Sequence, residues 1–322
     1  MNVLRFVLRR LAYGALITLG VSVLTFVMME LAPGEFFDDL KVDAAVGTST
    51  IETLRQEHGL NASAPVRYVQ WLGAVVRGDF GLSLAHRTPV APLLWERTSN
   101  TLILTVPALL IAWSIALPLG LWTARHRGRI FDRVCSGATS ALLALPDLLI
   151  GLLMLLIALS TGLFPTGGMF SPGTASSDTG DRLRDLAMHA VLPLCAIVIS
   201  TLPMILRHVR ASAIDATQAP AVRAARGHGI RGWRLDLRYV LTIAANPLIS
   251  LAGLSIAGLL SASLLIEVVM SWPGLGPLVV EALLARDVHV VLGASMLGTI
   301  FLIAGNLLAD VTLYVVDPRI RV

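Results

Sequence analysis

Apolar positions along the chain gather into six long runs with almost no charge between their ends. They fall at 11–29, 98–124, 134–164, 187–206, 241–266 and 290–308, and the third holds Asp147 as its single charged residue. Crossing lipid takes about 20 apolar residues, because every backbone group must be bonded within the segment. Each run meets that length, so the pattern predicts an all-α integral membrane protein with six transmembrane helices. The first run follows Arg5, Arg9 and Arg10, as a signal peptide would. Its 19 uncharged residues nevertheless exceed the usual apolar region of about 7–15, and Met28-Met29-Glu30-Leu31 offers no small-residue cleavage site. It is read as a retained helix.

Composition sharpens this picture. Of 322 residues 55% are hydrophobic and 14% charged, against roughly 25% in a soluble domain, and the mean hydropathy is +0.76. A water-soluble enzyme is excluded on those numbers. The 25 basic residues comprise 24 Arg and Lys41, which sits between Leu40 and Val42. A phosphate-binding P-loop needs Gly-Lys-Ser/Thr, so any ATP coupling has to come from a partner chain. Cys135 and Cys195 lie in apolar runs without a C-x-x-C spacing or ligands at metal spacing, and read as packing residues. No cofactor or metal site is expected in this chain.

Arginine placement sets the orientation. The N-terminus, the loop after the second run, the loop after the fourth and the C-terminus together hold 16 of the 25 basic residues. By the positive-inside rule this side is cytoplasmic, and an even number of spans requires both termini to share it. Most acids, including Glu35, Asp38, Asp39, Asp43, Glu52 and Glu57, fall on the other side. The arginines therefore report topology, and nucleic acid is not an expected partner. The chain divides into an N-terminal arm with the first helix (1–30), an external segment (31–97) and a five-helix core (98–322) that contains a cytoplasmic loop at 207–240.

Two connections carry further information. In the external segment Tyr68, Trp71, Leu72, Val75 and Val76 recur at helical spacing before Gly78, which predicts a short amphipathic helix. It could lie on the membrane with Tyr and Trp at headgroup level, or form a lid where a delivering protein docks. In the cytoplasmic loop, Pro220 suits a helix start and Gly229 a helix stop, around an arginine-studded segment with the small residues Ala221, Ala224 and Ala225. Taken by itself, this helix is either a docking element for a partner or a solvated connector.

The loop and the C-terminal third resemble the inner-membrane permease subunits of ABC importers of the peptide and nickel class. That superfamily's signature reads Glu-Ala-Ala, three residues, Gly, nine residues, Ile-x-Leu-Pro. Here it falls on Arg223, Ala224, Ala225 and Gly229, then Tyr239, Leu241 and Thr242. Both Ala, the Gly and the Leu match, whereas Arg223, Tyr239 and Thr242 depart. Ile266-Glu267 through Trp272-Pro273-Gly274-Leu275-Gly276 is similar to the family's segment ending in Phe-x-x-Pro-Gly-Leu-Gly, with Met270 where Phe is usual. Asn306 through Asp310 and Tyr314 to Asp317-Pro318-Arg319-Ile320-Arg321 looks like its C-terminus. Gly59-Leu60, Arg67-Tyr68, Trp71-Leu72 and Gly78-Asp79-Phe80-Gly81 look like the subunit with the long first external segment.

The resemblance implies a type I ABC importer permease fold. It also implies a second homologous permease subunit, two ATPase subunits that bind ATP and magnesium, and an external solute-binding protein. Arg223, Ala224, Ala225, Arg226, Gly229, Arg231 and Arg234 would meet an ATPase, while Glu267, Trp272, Pro273, Gly274 and Gly276 would anchor an external gate. The solute would be a peptide or similar small molecule, with a nickel chelate or glutathione as alternatives.

Polar residues within the apolar runs are the remaining candidates. Asp147, Asn246 and Ser261 are pathway candidates, with Asp147 alternatively a residue near a helix end or kink beside Pro146, while Ser255 and Ser263 are expected to bond between helices and Asp310 to meet arginines. Two other classes compete. A stand-alone secondary transporter or channel usually shows an internal repeat, and none is found between 1–165 and 166–322. An intramembrane enzyme could nominate only His189 with Asp147, which match no motif.

Overall fold

The computed structural model describes residues 3–33, 62–174 and 178–316. Lys41, the acids from Glu35 to Glu57, the Gly59-Leu60 pair and the tail from Asp317 to Arg321 lie outside the described residues. The elements are α1 (Val3–Leu31), α2 (Ala64–Val75), α3 (Val90–Arg125), α4 (Ile130–Leu143), α5 (Asp147–Thr161), α6 (Thr179–Thr217), α7 (Pro220–Gly227) and α8 (Trp233–Leu235). A π-helical turn at Asp236–Val240 leads into α9 (Leu241–Val269), then α10 (Leu275–Leu284) and α11 (Val288–Val316). Among the described residues, β structure is limited to one bridge between Leu82 and Pro89.

Five helices are long and apolar enough to cross a membrane, and α4 with α5 makes a sixth span bent by 97°. The third expected span is therefore corrected: 134–164 is two helices rather than one. Proline is the cause. Pro146 lacks an amide hydrogen and pushes Leu145 out of the helical region, so α4 stops at Leu143 and Pro146 caps α5 at ψ 142°. The core also starts earlier than expected, since α3 begins at Val90.

Helix α3 lies along α6, α9 packs on α6 and α11, and α1 packs on α11 at the edge. The α3–α6 contact is cut for close approach. Ala108, Ala112, Ala116 and Gly120 recur every fourth residue on the buried face of α3. A Cβ on Gly120 would stand 2.6 Å from Val209 Cγ1. Across α9 and α11 the glycines are reciprocal, since a Cβ on Gly253 would meet the Gly305 carbonyl at 2.8 Å and the converse holds at 2.8 Å. Small residues at such crossings replace the hydrophobic drive that lipid removes. Outward faces are apolar, with Leu16, Leu24, Leu110 and Leu156 each more than half exposed, as lipid contact requires.

Three details depart from expectation. The aromatic face of α2 turns into the protein: Trp71 is buried with Phe26, Leu292 and Met296, and Tyr68 OH pairs with Ser22 Oγ at 2.8 Å. This apolar seat holds α2 against α1 and α11, so Trp71 is not a headgroup anchor. Ser255, instead of bridging helices, donates to the Leu251 carbonyl of its own turn. Cys135 packs against the core near α7, but Cys195 lies on the exposed face of α6. Asp310 meets Arg10 at 2.9 Å.

Candidate functional site

The two segments singled out by sequence lie at opposite ends of the bundle, separated by the 29 residues of α9. At one end sits α7. Pro220 occupies its first turn, where the missing amide hydrogen costs nothing. Gly229 stops the chain in the left-handed region at φ +81°, donating to the Arg226 carbonyl, and Ile230 then donates to Ala225. Val222 and Ala225, three apart, are buried among Leu121, Ala124, Ala216, Leu235 and Val240, which belong to α3, α6, α8 and the π turn. Arg223, Ala224 and Arg226 are exposed, as are Arg231 and Arg234 beyond the stop. Ala225 is thus the exception among the residues expected to meet an ATPase. It seats the helix on its own chain, because the 3.6-residue period that turns Val222 inward carries Ala225 with it.

This seat is braced by two ion pairs. Arg125 at the end of α3 pairs with Asp236, which is buried, and its guanidinium lies over the Trp233 ring at 5.2 Å. Arg210 of α6 grips Asp132 with two bonds of 2.6 and 2.9 Å, and Asp132 also accepts the Gly128 amide. A recess of about 440 Å³ opens beneath α7, where Arg226 and Arg231 stand beside the Arg125–Asp236 pair. Sequence reasoning counted these arginines for topology and missed the pairs. The available signal was the scarcity of acids on the arginine-rich side, where Asp132 and Asp236 stand out.

At the other end, the chain leaves α9 through Ser271, a non-glycine residue at φ +50°. Trp272 is fully buried, and its Nε1–H donates to the Asn100 carbonyl at 2.9 Å, while the Asn100 amide donates to Pro273 at 2.8 Å. The first amides of α10 are then capped from other helices. Leu275 N–H donates to Thr101 Oγ1 at 2.9 Å and Gly276 N–H to Glu267 Oε2 at 2.7 Å. A carboxylate at a helix N-terminus satisfies orphan donors and suits the helix dipole. Thr101 and Ser263 flank Glu267. Both glycines are required by space: a Cβ on Gly274 would stand 2.4 Å from Glu267 Oε2, and one on Gly276 2.3 Å from the Leu264 carbonyl. Glu267 therefore acts as a fixed cap for α10. Thr101 beside Glu267, and Asn100 on Trp272 and Pro273, are the corner's unforeseen partners, since nothing in their local sequence marks them.

The pathway candidates do not form one site. Asn246 and Ser261 are 15 positions apart on α9, about 22 Å at the helical rise. Asp147 opens α5 at the bend rather than lying inside a continuous span, and is half-buried. His189 bonds the Asp185 carbonyl at 2.8 Å, and the Asp185 carboxylate receives Ser171 and Thr174. That arrangement makes Asp185 the organiser of the loop before α6, and Asp185, not Asp147, is the carboxylate neighbour of His189.

Comparison with known proteins gives a consistent result over the whole chain. Residues 116–322 match the family described as "Binding-protein-dependent transport system inner membrane component", and residues 3–105 match its N-terminal counterpart. The oligopeptide transport system permease protein AppB of Bacillus subtilis is 31% identical over 98% of this chain and 99% of its own length. The dipeptide transport system permease protein DppB of Escherichia coli is 32% identical over 99% of both. An inward-facing structure of the MetNI methionine ABC transporter shares the fold, with a TM-score of 0.53 at 18% identity, covering 70% of this chain and 96% of that one. Family membership carries the general consequences: an inner-membrane permease subunit that forms a translocation pathway, performs no catalysis, and works with separate ATPase and binding-protein components. The chain belongs to the inner membrane components of binding-protein-dependent transport systems.

Proposed function

We propose that this chain is one of two homologous permease halves in an importer for peptides, powered by two ATPase subunits, one of which docks on α7. The observation that carries the coupling is the two-faced build of α7. Val222 and Ala225 fix it to α3, α6 and the π turn, while Arg223 and Ala224 are exposed and Arg226 borders the recess beside the Arg125–Asp236 pair. A push on the exposed face is thereby delivered to three membrane helices at once. Coupling needs such differential contact between conformations, since an element indifferent to the two states shifts nothing. In this reading the α7 end is cytoplasmic with both termini, as the arginine distribution supports. ATP and magnesium are bound by the ATPase partners, and the α10 corner faces the binding protein that delivers solute. Peptides are favoured as cargo by what the relatives are named for, oligopeptides in AppB and dipeptides in DppB.

Extraction from the native membrane in mild detergent, followed by mass spectrometry of what accompanies the chain, tests this reading. A second six-helix permease and P-loop ATPases are expected. Recovery of the chain alone, with reconstituted vesicles moving solute without ATP, would contradict it.

A further inference from the structure

The recess of about 440 Å³ beneath α7 carries a net positive charge. Its lining is apolar along α3 and α6, at Leu121 and Ala213, and charged at Arg125, Arg226, Arg231 and Asp236. One pair is closed within the chain, since Asp236 takes Arg125, whose guanidinium also lies over the Trp233 ring. Among the described residues no acid pairs with Arg226 or Arg231, and the exposed Asp215 of α6 is not part of the lining. Two uncompensated charges therefore stand beside an apolar wall, where a field is stronger than at an open surface. The surrounding sequence adds to this. Residues 219–235 hold Arg223, Arg226, Arg231 and Arg234 and no Asp or Glu. A basic surface laid on this face would be repelled, so what covers it has to be acidic.

We infer that the ATPase subunit docked on α7 inserts an Asp or Glu side chain into this recess, where its carboxylate bonds Arg226 and Arg231. The inference rests on the reading of α7 as the ATPase seat, and adds to it the charge of the partner's docking surface. Covering α7 takes both guanidinium groups out of water, which is costly unless each charge is paired. Asp236 is already engaged by Arg125, so the pairing group has to come from the covering surface. A guanidinium fork accepts a carboxylate through two parallel bonds, so the contact fixes register as well as adhesion.

Lys41 is the single lysine of the chain, which makes a zero-length cross-link selective. Arg226→Lys and Arg231→Lys, made one at a time, each place an amine at the recess and keep the charge. The assembled transporter, purified with its ATPase subunits, is treated with a water-soluble carbodiimide, which joins an amine to a carboxylate only in direct contact. Mass spectrometry then maps the product. An amide between the introduced amine and an Asp or Glu of the ATPase is expected in at least one variant. Independently, Arg226→Gln with Arg231→Gln should weaken ATPase binding about tenfold at low salt, and the difference from the parent should shrink at about 0.5 M salt, where such pairs are screened. Retention of the ATPase with cross-links only to acids of this chain, or with none in either variant, overturns the inference and leaves the α7 reading standing. So does unchanged affinity in the double Gln variant. Inorganic phosphate bound to the assembled parent and lost in that variant would show a free anion in the recess, and overturns it too. Absence of the ATPase from the parent complex overturns the α7 reading, and this inference with it.

Discussion

The two ends of the bundle are held together by different physics. At the α7 end, an apolar seat slides under a short helix and two arginine–aspartate pairs brace it, with guanidinium groups that still reach water. At the α10 end, buried backbone amides are fixed by neutral side chains and one carboxylate, and glycines leave no room for any added atom. The first arrangement tolerates displacement of α7 as a body, since the contacts that seat Val222 and Ala225 are apolar and non-directional. The second does not, because hydrogen bonds of 2.7 to 2.9 Å fail steeply with distance and angle. In the proposed reading, a permease built this way takes its push at the loose end and keeps its geometry at the tight one.

The contrast can be broken most severely at Gly276. Gly276→Ala forces a Cβ against a backbone carbonyl that cannot step aside, and should cost more than about 4 kcal/mol, seen as loss of folded protein in the membrane fraction. Next is Asp132→Ala, which strands Arg210. Because that side chain is 29% exposed, the loss should fall below the 3–5 kcal/mol of a fully buried broken pair, at about 2 kcal/mol. Thermal unfolding of the solubilised complex measures it, and adding Arg210→Met should recover part of the loss if the pair is the cause. Glu267 separates charge from capping. Glu267→Gln keeps an acceptor for Gly276 N–H and should cost under about 1 kcal/mol, whereas Glu267→Ala leaves a buried donor unmet at about 1–3 kcal/mol. At the α7 end Gly229→Ala, in open space but at φ +81°, is expected to cost about 1 kcal/mol, below the loss for Asp132→Ala.

Much of this architecture was legible in the sequence, and the gaps have physical reasons. Hydropathy gave the spans because lipid demands long apolar runs, whereas the orientation rests on the arginine bias alone. Pro146 announced a perturbation, but the 97° bend depends on where α5 finds packing against α6 and α9. Asp147 was accordingly placed inside a span when it begins a helix. The arginine pairs were invisible for a different reason: Arg125 and Asp236 are 111 positions apart, and no local pattern links them. Glu267 drew attention as a charge in an apolar run, yet Thr101 beside it and Asn100, which holds Trp272 and Pro273, lie within α3 and look like ordinary helix residues. The inward face of α7 could have been read from the spacing of Val222 and Ala225, since three positions place them on one side.

The central claim is that the exposed face of α7 receives the ATPase stroke while its buried face only seats it. Its most direct test is ATP hydrolysis by the reconstituted transporter, stimulated by solute-loaded binding protein, in the Ala224→Trp variant. Ala224 is exposed on α7, so thermal stability should stay within about 0.5 kcal/mol of the parent. Stimulation should be abolished with the subunits still associated. Full stimulation in a normally assembled Ala224→Trp transporter would contradict the account.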